Sequence, residues 1–134
     1  MATIVNPDSL APPRGYSNGI VLGGTRTLFV AGQIGWDREM KVVDGLTAQF
    51  ALALDNILDV VREAGGGPEH IGRMTIYVVD KQEYLAEAKA IGREYRARMK
   101  DHYPAMSLVQ VAALLEPGAK VEVEATAVLG PEDA

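Results

Sequence analysis

The stretch Thr47–Val79, TAQFALALDNILDVVREAGGGPEHIGRMTIYVV, changes its apolar period partway along, and that change decides the fold class. Phe50, Leu54, Ile57 and Val61 recur at helical spacing, which gives one apolar face to an amphipathic helix. Thr47 or Asp44 is placed to cap its start, and Gly65 stands where a helix-terminating glycine would. Gly65-Gly66-Gly67-Pro68 then breaks the chain. Arg73–Val79 is rich in β-branched and aromatic residues and predicts a strand, with Met74, Ile76 and Val78 alternating with Thr75, Tyr77 and Val79.

Downstream, Asp80 followed by Glu83 resembles a capping box and predicts a second helix. Its buried stripe would be Tyr84, Ala88, Ile91, Tyr95 and Met99, and Pro104 lies just beyond its end. Two further strands are predicted, Ser107–Val111 and Lys120–Leu129, separated by Glu116-Pro117-Gly118-Ala119, a type II turn sequence. Upstream, Met1–Asn18 reads as a short edge strand around Ile4 and Val5 followed by a proline-broken loop. Ile20-Val21-Leu22, Gly23-Gly24 and Leu28–Ala31 read as a hairpin, and Gly32–Asp44 as the loop after it. This order predicts an α+β fold, a mixed β-sheet with two helices on one face, in a single domain over residues 1–134. The strands carry apolar side chains on both faces, but two helices cover only one. The other face predicts self-association.

Composition narrows the chemistry. The 134 residues include no cysteine, which excludes disulfides, thiolate metal sites and thiol nucleophiles. With 13 Lys+Arg against 18 Asp+Glu the net charge is −5, which disfavours nucleic acid as a partner. No apolar run reaches the roughly 20 residues of a membrane span, and Met1–Asp8 lacks the basic start and apolar stretch of a signal peptide. A soluble, cytoplasmic protein with no membrane partner is expected.

Motifs narrow it further. His70 and His102 lie on different elements with no carboxylate cluster, so no metal site is expected and both read as surface residues. No nucleophile-elbow sequence surrounds Ser9, Ser17 or Ser107. Neither glycine-rich stretch opens a helix as a phosphate loop would. Lys89, Arg93, Arg96, Arg98 and Lys100 make a basic run on the second helix, which reads as a solvated face with Glu94 and Arg98 paired. On the last strand Glu122 and Glu124 share a face opposite Val121, Val123 and Ala125. Alternation alone is explained by a half-exposed strand.

Several segments together resemble the RidA/YjgF family of imine and enamine deaminases. Gly15-Tyr16-Ser17-Asn18 is similar to that family's Gly-Pro-Tyr-Ser loop, and Phe29-Val30-Ala31-Gly32-Gln33-Ile34 to its Ser-Gly-Gln strand end, with Ala31 in place of serine. Gln49 with Leu54-Asp55-Asn56-Ile57 resembles its first helix. Tyr103-Pro104-Ala105 and Val121–Ala127 resemble its C-terminal strands. The likeness runs from about Gly15 to Leu129.

The resemblance implies a chorismate-mutase-like fold, a homotrimer with a small-molecule cleft at each subunit interface, and no metal or organic cofactor. It implies catalytic roles for Glu122, which would position a water, and for Tyr16, which would shape the cleft. Gln33, Met106, Trp36 and Arg14 are the candidate substrate-binding residues. Tyr16 and Gln33 also have plain structural readings, in loop packing and in a strand-end hydrogen bond. Met106 stands where the family's deaminases carry an arginine that grips the substrate carboxylate, and Lys89 stands near the place of an asparagine of the second helix. Methionine offers no charge, a loss on the order of a hundredfold in anchoring. The expected activity is hydrolytic deamination of a reactive enamine or imine that is not a small free amino-acid imine. A non-catalytic small-molecule-binding or regulatory trimer is the alternative, with an endoribonuclease behind it.

Overall fold

The computed structural model describes residues 2–131, so Met1 and residues 132–134 of the expected domain lie outside the described residues. Strands β1 (Ala2–Val5) and β2 (Gly19–Leu22) form a two-stranded antiparallel ribbon. Strands β3 (Arg26–Ile34), β4 (Ile71–Val78), β5 (Ala105–Gln110) and β6 (Val121–Leu129) form a four-stranded sheet in the order β3-β6-β4-β5. β6 is antiparallel to both of its neighbours, whereas β4 and β5 are parallel, so the sheet is mixed as expected. The helices are α1 (Leu46–Glu63), α2 (Lys81–Ala86) and α3 (Ala88–Met99).

The apolar stripe of α1 is the centre of the core: Phe50, Leu54, Ile57 and Val61 are all buried. They pack on Met74, Ile76 and Val78 of β4 and on Val121, Val123 and Ala127 of β6. The helix ends in a Schellman motif. Gly65 N–H donates to Arg62 C=O and Gly66 N–H to Val61 C=O, with Gly65 at φ 94°. Its start differs from expectation. Gly45 is the N-cap residue and neither Asp44 nor Thr47 caps; instead the Thr47 N–H and hydroxyl both donate to Glu87 of the second helical region.

Two other expectations are corrected. The hairpin between Ile20–Leu22 and Leu28–Ala31 does not form, because β2 pairs with β1 and β3 with β6. The glycine pair explains why. Thr25 N–H donates to Leu129 C=O at 3.0 Å, and a Cβ on Gly24 would collide with that same carbonyl. The chain therefore runs tightly past the end of β6 and enters beside it. The predicted second helix is divided at Glu87, leaving Ala88 exposed and only Ile91, Tyr95 and Met99 of the stripe buried. Asp80 does cap α2, accepting from the N–H groups of Gln82 and Glu83, but the Glu83 carboxylate goes to Lys120 at 3.0 Å. The Pro117-Gly118 turn closes as expected, with Ala119 N–H donating to Glu116 C=O at 3.1 Å.

Gln49 ties this core to its loops. Buried on α1, it donates from Nε2 to the carbonyls of Val43 and Gly118 and accepts at Oε1 from Lys120 N–H. Gln49→Leu keeps the volume but strands those three backbone groups without partners. The expected loss is about 3 kcal/mol of stability, read as a lower urea midpoint with unchanged slope.

Candidate active site

β6 supplies the carboxylates. Its odd positions face the helices, so Glu122 and Glu124 lie on the opposite, uncovered face of the sheet beside Thr126. They have different surroundings. The Tyr77 hydroxyl on β4 donates to Glu124 Oε2 at 3.0 Å. That hydrogen bond, followed by burial and the nearby charges of Glu124 and Glu122, raises the Tyr77 phenol above its ordinary 10.0, so it stays protonated and keeps Glu124 engaged. The Glu122 carboxylate accepts no hydrogen bond among the described residues.

A β-bulge shapes the space beside Glu122. Val30 pairs with Ala125 and Gln33 with Val123, so Ala31 and Gly32 together face the single residue Glu124. The Glu122 carboxylate lies against Gly32, in the space that a Cβ at that position would fill. Gly32 is therefore required for this carboxylate position. Gln33, next to the bulge, donates from Nε2 to Ala31 C=O at 3.1 Å, which is the strand-end hydrogen bond of its plain structural reading. Trp36 lies just beyond, held with Ile34 by Asn56, whose Nδ2 donates to both carbonyls. Gln33 and Trp36 line a shallow hollow with Asp37, Met40 and Asn56.

A second group forms at the start of β5. Ser17 is buried, donates from its hydroxyl to Tyr103 C=O and from its N–H to Pro104 C=O, and bridges to Ala105. These bonds bring the Tyr16 loop and the Tyr103-Pro104-Ala105 segment together. Tyr16 itself is 38 % exposed, and Arg14 is exposed without an ion pair among the described residues. Met106 pairs in register with Met74 and so turns to the helix face. There it lines a cavity of about 230 Å³ with Gly15, Tyr84, Tyr95 and Tyr103.

The candidate residues thus fall into two groups. Glu122, Gly32, Gln33 and Trp36 lie toward β3, and Tyr16 and Met106 toward β5, the two outer strands of the sheet. Met106 and Glu122 sit two strand spacings apart, about 10 Å across the sheet, and their side chains leave opposite faces. One subunit alone does not bring them together. Tyr77 and Tyr84 read from sequence only as a strand residue and a helix-stripe residue, because the partner of Tyr77 depends on the β4–β6 register and the site of Tyr84 on where the helices dock.

The remaining candidates are structural. His70 Nδ1 accepts from Gly67 N–H, and His102 Nε2 lies 2.7 Å from Ile71 C=O. Arg98 donates to Glu94 at 2.8 Å, as its spacing predicts, and also to Asp55 at 2.7 Å; these partners raise its already high pKa. Among the described residues no group of three or more His, Cys, Asp or Glu is placed to share a metal ion. No described helix is long and apolar enough to cross a membrane.

Comparison with known proteins adds the following. The family described as Endoribonuclease L-PSP matches residues 6–129. The human 2-iminobutanoate/2-iminopropanoate deaminase is 28% identical over 133 residues, covering 98% of this chain and 90% of its own. Among solved structures, the Rid-family protein of unknown function YyfB from Yersinia pestis superposes with a TM-score of 0.84 at 34% identity, covering 96% of this chain and 98% of that one. TdcF from E. coli, solved with bound serine, gives 0.68 at 28% identity, with 92% of each chain covered.

Proposed function

From membership of the RidA/YjgF family, the family described as Endoribonuclease L-PSP, to which this chain belongs, we propose that the protein is a hydrolytic deaminase of a reactive enamine or imine. The observation that carries this reading is Glu122: a carboxylate on the uncovered sheet face, set against Gly32 and without a hydrogen-bond or ion-pair partner among the described residues, while its neighbour Glu124 is occupied by Tyr77. A carboxylate in that state can hold a water and take a proton from it as the water attacks the C=N carbon. Collapse of the resulting carbinolamine breaks the C–N bond, releases ammonia and leaves the carbonyl product. Protonated imines hydrolyse readily, so the protein's task is mainly orientation. No metal or organic cofactor is needed for these steps.

Met106 sets the substrate apart. The relatives named for 2-iminobutanoate and 2-iminopropanoate act on small imino acids, and a methionine cannot grip a carboxylate. The reading for this chain is a substrate other than a small free amino-acid imine, with Tyr16, Trp36, Gln33 and Arg14 around it.

Assembly belongs to the same reading. Phe29 is 78% exposed and Val109 43% on strands β3 and β5. A homotrimer would cover such side chains and would set the β3 edge of one subunit beside the β5 edge of the next, joining the two groups of residues into one cleft. Light scattering should then report three chains of 14.4 kDa each; a monomeric mass would remove the shared cleft.

The deciding experiment measures ammonia release from a panel of neutral, bulky and small carboxylate-bearing enamines and imines, against their uncatalysed hydrolysis. Acceleration of the neutral or bulky members supports the reading. Ligand binding without any acceleration across the panel would instead identify a binding or regulatory protein.

A further inference from the structure

The cavity beside Met106 has a charged residue at its mouth that sequence reasoning placed on a solvated face. Its lining is mixed: Phe50, Ile76, Ile91 and Met106 supply apolar side chains, and Tyr84, Tyr95 and Tyr103 add phenols. Arg96 of α3 lines it too. A wider hollow outside it is lined by Lys89 and Arg93 and shares Gly92 and Arg96 with the cavity.

The Arg96 guanidinium lies over Gly92. A Cβ on Gly92 would lie 3.1 Å from Arg96 Nη1, so the Arg96 side chain folds back over a position kept bare of side chain. Unlike Arg98, which is held by Asp55 and Glu94, Arg96 makes no ion pair among the described residues. Tyr84 adds a polar group inside the opening. Burial raises its phenol above the ordinary 10.0, so it remains a hydrogen-bond donor, and among the described residues its hydroxyl has no protein partner.

Size limits the occupant. A cavity of about 150 Å³ takes up benzene, so 230 Å³ accommodates one ring or a branched aliphatic group with a short polar arm. Apolar side chains, a phenol donor and a guanidinium unpaired among the described residues fit an apolar body ending in a carboxylate.

We propose that Arg96 supplies the carboxylate contact that Met106 cannot, and that the cavity takes the apolar body of a bulky 2-imino acid or of the 2-oxo acid formed from it. The inference rests on the deaminase reading for the reaction but not for the binding. The same site also explains why Met106 suits this chain: its side chain forms part of the apolar wall.

The test uses calorimetric titration of the wild-type protein with 3-phenyl-2-oxopropanoate and with the neutral phenylacetone. Arg96→Gln should weaken the oxo acid about tenfold, the loss of a charge-assisted contact reduced by solvent at the rim, and leave phenylacetone unchanged. Arg93→Gln, one turn away in the outer hollow, should affect the oxo acid far less. No oxo-acid binding by the wild type, equal weakening of both probes by Arg96→Gln, or equal effects of the two variants would overturn the inference. Arg96-dependent oxo-acid binding without ammonia release from the matching imine would leave the site standing and remove the deaminase reading. Accelerated hydrolysis that ignores Arg96 would do the reverse.

Discussion

Glu122→Gln is expected to lower kcat for ammonia release by about a hundredfold to ten-thousandfold, the usual contribution of a positioned general base. Glutamine has nearly the same shape, so it occupies the same space against Gly32 and the β3 bulge, and the fold should be retained. What it lacks is the ability to take a proton from the attacking water. Binding of substrate should change much less, so the loss should fall on kcat rather than KM. Glu124→Gln is the internal control. That carboxylate is two residues along the same strand face but engaged by the Tyr77 hydroxyl at 3.0 Å, so its replacement should cost little activity. Equal losses in the two variants would assign the effect to the charge of the strand face instead of to a water held by Glu122.

Met106→Arg is expected to raise kcat/KM for small carboxylate-bearing imines by about ten- to a hundredfold, the range of a hydrogen bond to a charged group. At the same time it should lower activity on bulky ones. Met106 is partly buried against the core and forms one wall of the 230 Å³ cavity. An arginine there brings a guanidinium toward the mouth, where a short imino acid can be gripped, but it fills space that an apolar body would use. It also adds a second positive charge near Arg96. The measurement is the ratio of kcat/KM values for a small and a bulky imine in variant and wild type. An unchanged ratio would mean that residue 106 does not face the substrate.

The sequence made some of this legible and hid the rest for identifiable reasons. Period carried the core: the stripe of Phe50, Leu54, Ile57 and Val61 and the alternation of Val121 to Leu129 have the burial that their spacing predicts. Punctuation carried the C-terminal end of α1 and the Pro117-Gly118 turn, because glycine at positive φ leaves a local mark. Pairing was less visible. Gly23-Gly24 looks like a hairpin turn in one dimension, and only the approach to Leu129 shows that it is a passage beside β6. The site divides in the same way. Glu122 and Glu124 are equivalent by alternation and become distinct only through Tyr77, a neighbour across a strand pair. Arg96 and Arg98 belong to one basic run in sequence, yet one is spent on Asp55 and Glu94 while the other closes over Gly92. The resemblance located Met106, and the β4–β5 register shows which face of the sheet it leaves by.

The stitch from Ser17 to Tyr103 and Pro104 joins residues 86 apart in the chain. A contact of that span closes a large loop, and closure entropy is recovered only when the helices and strands between are already in place. On closure entropy alone, the corner that carries Tyr16 and Met106 is expected to form after the α1–β4 region, whose contacts are nearer neighbours along the chain. Late assembly and easy local opening tend to coincide. Backbone amides of that corner, Ser17 among them, are expected to exchange with solvent faster than those of β4 and β6, which a hydrogen-exchange measurement checks.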